Sequence, residues 1–489
     1  MFLVGFLLGK SCGLPDASVK EAKERVKTAI KNSAVEFQSK KVVINLAPAD
    51  TKKEGSSFDL PIAIGILSSL DEIHKTSIED MVFIGELSLD GKISRVNGIL
   101  PMCIEAFKLG IKKAIVPEEN AKEASIIDGI EIVPAHNLVQ IIDYLNGQIE
   151  IEPIKTDYRT LFENNKKYNI DFSEVKGQEN IKRALEIAAA GAHNCLLIGS
   201  PGSGKTMLAR RLPTILPDLS FEEALEITKI HSVAGTLKSN VPLITTRPFR
   251  APHHTVSGVS LVGGGRIPKP GEISLSHYGV LFLDELTEFN KHTLEVLRGP
   301  LEDRQITVSR VNGTFTYPAN FMFAASMNPC PCGYYGSKEK ECTCSQTSIS
   351  KYMSKISGPL LDRIDICIEV NPVKYEKLDS DEKVETSDEI KLRVDKARKI
   401  QIDRYKECKI LSNSELTPKL IDKYCKLDNK GKKILEDAFN KLKLSARAYG
   451  RILKVARTIA DLDNKENIEV NHIAEAIQYR SIDRKYWSN

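Results

Sequence analysis

Gly199, Ser200, Pro201, Gly202, Ser203, Gly204, Lys205 and Thr206 meet every fixed position of the phosphate-loop pattern GxxxxGK[ST]. In such a loop the glycines let backbone N–H groups close round a β-phosphate. Lys205 then reaches the β and γ oxygens of ATP, and the Thr206 hydroxyl is placed to hold Mg²⁺. The apolar run 195–198 supplies the buried strand that should precede the loop. Downstream, the apolar run 280–283 ends in Asp284 and Glu285, the pattern of a buried strand with carboxylates at its C-terminal edge. Asp284 is expected to orient the Mg²⁺ water shell and Glu285 to polarise the attacking water, because phosphoryl transfer needs positioning and charge neutralisation more than covalent chemistry. Gln178, at the opening of the same domain, joins the expected nucleotide-binding set.

Two further groups of residues could do chemistry. Cys330-x-Cys332 and Cys342-x-Cys344 are separated by a polar stretch, and four thiolates in paired knuckles could hold a structural Zn²⁺. Reduced thiols in a loop are the alternative. Basic residues form the second group. The stretch 304–310, bounded by Arg304 and Arg310 and followed by Asn312 and Gly313, reads as a hairpin with alternating side chains, and Arg247, Arg250, Arg266 and Lys269 lie in the segment ahead of it. Such side chains can track a phosphate backbone, or they can be ordinary solvated surface.

The chain that must position these residues has 489 of them, enough for two to four domains. Its net charge of +4 is small for that length, so any nucleic-acid surface has to be local. The ten cysteines do not make a secreted disulfide framework in so long a chain, and together with an ATP site they suggest a reducing cytoplasm. The apolar residues 1–8 lack a preceding basic residue and are too short to span a bilayer, so neither a signal peptide nor a membrane segment is expected. Residues 1–150 read as a self-contained α/β unit, 151–172 as a linker, 173–372 as the nucleotide domain, and 373–489 as a charged connector followed by helices. The apolar spacing of Leu453, Ala456, Ile459 and Ala460 marks one such helix.

Several long motifs, 246–255, 263–265, 270–274, 328–333 and 447–462, together resemble the magnesium-chelatase-like YifB/ComM family over nearly the whole chain. The resemblance implies an α/β fold: a Lon-protease-like N-terminal domain of the S5 domain 2 type, a P-loop AAA+ core with a parallel sheet, an insert and a presensor hairpin, and a helical C-terminal lid. It implies a homo-hexameric ring and, in the ComM branch, ATP-driven DNA unwinding and branch migration in natural transformation. Asn328, at the end of the apolar run 321–326, matches the family's γ-phosphate sensor. Arg363 matches the arginine that enters a neighbouring subunit's site, where its planar fork meets charge on the transferring phosphoryl group; an internal ion pair with Asp362 or Asp365 is the alternative. Arg447 matches the second sensor, expected to act in cis, with Arg451 one helical turn on as its rival. In a ring, Arg304, Arg310, Arg266 and Lys269 would line a channel for DNA.

Two departures from the family pattern matter. Family members carry strands ahead of the segment beginning at Gly13, so an incomplete first domain is expected here. Ser57 stands at the Lon nucleophile's place but Leu100 stands at that of its lysine, and a serine with no base is a poor nucleophile. No peptidase is expected, and Ser57 reads as a turn residue. The ATPase subunit of a magnesium chelatase and a protein-remodelling chaperone are the competing functions.

Overall fold

The computed structural model describes residues 7–12, 17–33, 41–46, 55–164, 168–265, 268–310, 313–337, 340–373, 375–379, 384–408, 410–442 and 444–487. The chain divides into two compact units, one of Met1–Asn165 with Ala224–Thr245 and one of Lys166–Glu223 with Thr246–Asn489. The first therefore takes back a piece of chain from the middle of the stretch expected to form the nucleotide domain.

In the first unit, helix Ala17–Asn32 buries Ala22, Val26, Ala29 and Ile30 on one face, the spacing of an amphipathic helix. Strands Met81–Phe83, Lys113–Pro117 and Glu131–Ala135 form a parallel three-stranded sheet, and Leu7–Cys12 pairs in parallel with Lys41–Asn45. Asn137 caps helix Leu138–Leu145 by accepting from the Gln140 amide at 2.9 Å. Leu100 is fully buried near the start of helix Ile99–Lys108, so an apolar side chain fills the place of the Lon lysine. Segment 224–245 is sewn in by polar bonds. The Gly98 amide donates to the Ser232 carbonyl at 3.0 Å, and Arg95 donates to the Leu237 carbonyl at 2.6 Å. The stretch 151–172, expected to be a linker, contains the short helix Tyr158–Asn164.

The second unit is built on a five-stranded parallel sheet in the spatial order Ile366–Val370, Cys195–Gly199, Met322–Met327, Val280–Leu283, Phe249–Arg250. Its three inner strands are buried along their whole length and almost wholly apolar because both faces are covered, and the alternation of side chains divides them between two cores. Cys195, Leu197, Val280, Phe282, Met322 and Ala324 join one core with helix Glu179–Gly191 and the C-terminal helices; Leu196, Ile198, Leu281, Leu283, Phe323 and Ala325 join the other. The C-terminal helices Ser387–Tyr405, Ala446–Leu462 and Val470–Trp487 thus share a core with the sheet. Among the described residues of the charged connector is the short helix Tyr375–Leu378.

Candidate nucleotide site

The strand order places three chain segments side by side at one sheet edge. Strand Met322–Met327 lies between the strand leading into the loop and the strand ending before Asp284, so Asn328 emerges between loop and carboxylates. After Cys195–Gly199 the chain turns through Gly204, at φ +87°, straight into helix Lys205–Ile215. Only glycine holds that conformation without strain, and it aims the free amides of the helix's first turn at the loop. Gly199 is needed for another reason: a Cβ there would come within 2.2 Å of the Val370 carbonyl.

Lys205 is almost wholly buried and donates to the Gly199 carbonyl at 2.9 Å, the Ser200 carbonyl at 2.8 Å and Asn328 Oδ1 at 3.2 Å. Burial lowers its pKa below the ordinary lysine value, and the charges of Asp284 and Glu285 offset this in part. Asp284 Oδ2 accepts from the Thr206 hydroxyl at 2.7 Å, while Asp284 Oδ1 accepts from Ser326 Oγ and from the Glu285 amide at 3.1 Å. Buried oxygens of Gln178, Ser200 and Ser203 have no protein partner. Gln178 otherwise donates to the Ser203 carbonyl at 3.0 Å, which ties it to the loop. A cationic side chain, a hydroxyl joined to a carboxylate and unpartnered polar oxygens round a glycine turn suit Mg²⁺ and a polyphosphate; Thr206 and Asp284 are the residues that would hold the ion, and the ion would neutralise phosphate charge.

Glu285 is the residue of this group under backbone strain. Its φ is +53°, in the left-handed region, and its half-exposed carboxylate lies 3.9 Å from His254 Nδ1. Neither His254 nor Ser326 was singled out for this role in the sequence. Ser326 closes a run of apolar residues, and His254 comes from a segment whose path the sequence leaves open.

The two arginines expected to sense nucleotide are elsewhere. Arg363, Arg447, Arg451 and Arg304 line a cavity of about 750 Å³ that includes none of residues 199–206, Asp284, Glu285 or Asn328. Arg363 pairs with Glu302 rather than Asp362 or Asp365, and donates to the Pro359 carbonyl at 2.8 Å. Arg447 is largely exposed, 3.6 Å from Asp362. Arg451 is mostly buried and bonded to Asp365. Burial pushes the Asp365 carboxyl up, but Arg451 and the neighbouring His193 outweigh it and hold the carboxyl well below the usual carboxylate range.

Cys330, Cys332, Cys342 and Cys344 bring their sulfurs within 4.8 Å of one another, so the two knuckles converge.

The basic residues separate into two sets. Strands Gln305–Arg310 and Gly313–Pro318 form the antiparallel hairpin, with Arg310 exposed near its tip and Lys269 exposed on the neighbouring strand Lys269–Pro270. Tyr317 of the hairpin donates to the Pro268 carbonyl at 2.7 Å, which joins the hairpin to the glycine-rich insert. Arg304 does not join this set: it turns left-handed at φ +54° and pairs with Glu415 at 2.7 Å. Arg247 is committed to the Pro217 and Tyr278 carbonyls at 2.6 and 2.7 Å, and Arg250 to Glu272 through two bonds of 2.7 Å. Arg266 lies outside the described residues. No helix among the described residues is long and apolar enough to cross a membrane.

Family models described as "Magnesium chelatase, subunit ChlI", "Subunit ChlI of Mg-chelatase" and "Magnesium chelatase, subunit ChlI C-terminal" match residues 171–378, 8–120 and 384–480. The chain is 43% identical over 475 residues to competence protein ComM of Haemophilus influenzae, covering 96% of this chain and 92% of that one. It is 45% identical to YifB of Escherichia coli with 96% and 91% covered. The 38 kDa magnesium-chelatase subunit of Rhodobacter capsulatus is 26% identical over 32% of this chain and 50% of its own length. These matches run through the loop, the carboxylates, the hairpin and the C-terminal helices described above, and the chain belongs to the YifB/ComM family of magnesium-chelatase-like AAA+ ATPases.

Proposed function

We propose that this chain is a ring motor, a homo-hexamer that hydrolyses ATP to drive branch migration or unwinding of DNA during natural transformation. The observation that carries the DNA reading is the exposed Arg310 on a hairpin bonded to the glycine-rich insert that presents Lys269. Its support from relatives is the ComM protein, whose name assigns it to competence. Lys205 and the helix amides take the phosphates, Thr206 and Asp284 hold Mg²⁺, Glu285 polarises the attacking water and Asn328 orients it against the γ-phosphate. Arg363 and Arg447 line one cavity away from the loop of their own chain, which supports action of both on the nucleotide of a neighbouring subunit. Arg447 then works in trans rather than in cis.

The test is ATP hydrolysis with and without duplex and branched DNA across a salt series. DNA should stimulate hydrolysis, and the stimulation should fade with salt as counterion release weakens binding. The family descriptions and the chelatase subunit's partial match favour a second reading, the ATPase subunit of a magnesium chelatase. Indifference to DNA together with stimulation by a porphyrin-chelating partner would replace the motor with that reading.

A further inference from the structure

The four cysteines stand immediately behind the nucleotide loop. Cys330 Sγ lies 3.3 Å from Cys332 Sγ and 3.6 Å from Cys342 Sγ, and Cys332 Sγ lies 3.6 Å from Cys342 Sγ. Sulfurs at the corners of a tetrahedron with Zn–S bonds of about 2.3 Å are separated by about 3.8 Å, so these separations suit four thiolates round one zinc. Bonded sulfurs would stand at about 2.05 Å, and the cysteines are free thiols here. The first knuckle has the folded shape that such ligation needs: the Gly333 amide donates to the Cys330 carbonyl at 2.9 Å, and the Tyr335 amide to Cys330 Sγ at 3.3 Å. Cys330 is fully buried while the other three are half-buried. Cys330 belongs to the second core of the sheet, and Cys332, Cys342 and Cys344 pack against that core, so the cluster is anchored to the body of the unit.

The knuckle touches the site at two points. Gly333, at φ +86°, lies so close to the loop that a Cβ there would stand 2.4 Å from Pro201 Cδ. Cys330 follows Asn328 by two residues, and Asn328 accepts from Lys205 at 3.2 Å. We propose that Cys330, Cys332, Cys342 and Cys344 bind one Zn²⁺ per chain, and that this metal holds Pro201 and Asn328 in place for the nucleotide. Zn²⁺ has no redox chemistry of its own, so its part is structural: four thiols lose their protons to solvent on binding, and a rigid knuckle backs the phosphate loop. The positioning half of this inference rests on the nucleotide reading of the site, whereas the metal half does not.

The experiment uses the full chain, purified without chelator. Elemental analysis should find one zinc per chain with no iron and no absorption in the visible range. Cys342→Ser with Cys344→Ser should remove the zinc. Gly333→Ala should keep the zinc yet weaken binding of a fluorescent ATP analogue, because its methyl displaces Pro201. In both variants kcat should fall about a hundredfold, the order of loss that a misplacement of about 1 Å can cause. Circular dichroism and the melting temperature of Gly333→Ala check that the chain still folds. Absence of zinc, an iron–sulfur cluster or disulfides in its place would overturn the metal. Zinc removed with analogue affinity and kcat unchanged would overturn the positioning role. A wild-type protein that holds zinc but binds no ATP analogue would sink the nucleotide reading and with it the positioning role, leaving the metal supported.

Discussion

Glu285 holds a backbone conformation that costs a non-glycine residue on the order of 1–3 kcal/mol. Its amide is held by Asp284 Oδ1 at 3.1 Å and Ser326 Oγ at 3.4 Å, so neighbours of the same site maintain the strained turn. If Glu285 polarises water, Glu285→Gln should bind ATP normally and hydrolyse it about a hundredfold or more slowly, as single-turnover rates and analogue titration would reveal. Near-normal turnover would reassign the residue. Lys205 allows a test by proton counting. Its pKa is lowered by burial, and phosphate oxygens would raise it. ATP binding should therefore draw in protons increasingly as pH rises toward the ordinary lysine range of about 10. Calorimetry in buffers of different ionisation enthalpy measures this, and Lys205→Ala should abolish it. Lys205, Thr206, Asp284 and Asn328 were legible in the sequence because a fixed motif or a strand's end reports local geometry. Ser326, His254 and the Glu302 partner of Arg363 were not, since those contacts join distant stretches that no local pattern relates.

The three inner strands of the second sheet, Cys195–Gly199, Val280–Leu283 and Met322–Met327, were legible as almost wholly apolar runs, because a sheet covered on both faces favours apolar residues along its strands; the edge strand Ile366–Val370, interrupted by Glu369, was not legible. Phe249–Arg250 was not, since two residues show no periodicity. The helix at Ala446–Leu462 announced itself by its apolar spacing, and Ser445 caps it by accepting from the Ala448 amide at 3.2 Å. What the spacing could not tell is that Arg451, weighed as a rival sensor, ties this helix to Asp365 just ahead of strand Ile366–Val370. Asp365→Ala leaves Arg451 with no carboxylate in a buried setting and should destabilise the second unit by about 3–5 kcal/mol, read by denaturant unfolding. The pH dependence has a definite sign. The folded carboxyl titrates below its unfolded value of about 3.9, so its stabilisation is fully present above that pH and is lost as pH falls through the folded pKa. Melting temperatures of wild type and Asp365→Ala should therefore converge on acidification below about pH 4. A constant gap between them would show that this carboxylate does not carry the effect.

The proposed sharing of active sites between neighbouring subunits can be probed by mixing defective subunits. Arg363→Ala should bind ATP and fail to turn it over, and Lys205→Ala should fail to bind. A mixture of the two under subunit exchange should recover part of the activity, because some interfaces then join an intact loop to an intact arginine. No recovery at any ratio would place Arg363 outside the neighbour's site. Arg310→Ala belongs to the same scale: DNA stimulation should weaken by a similar factor on unrelated sequences, as phosphate contacts carry no base information. The division of the chain into units was the least legible feature at this scale, since nothing local marks 224–245 as part of the first. That excursion has a consequence for the order in which the protein is made. A ribosome releases residues 1–165 well before it has synthesised 224–245, so the nascent first unit waits for its last piece while the phosphate loop is already emerging. Until then Gly98 and Arg95 lack their partners on Ser232 and Leu237, and the apolar residues Ile227, Ile230, Leu237 and Leu243 have yet to be buried. Cutting the gene at the apparent linker would make this waiting state permanent in one fragment and leave an apolar tongue on the other, and both should aggregate where the uncut chain stays in solution.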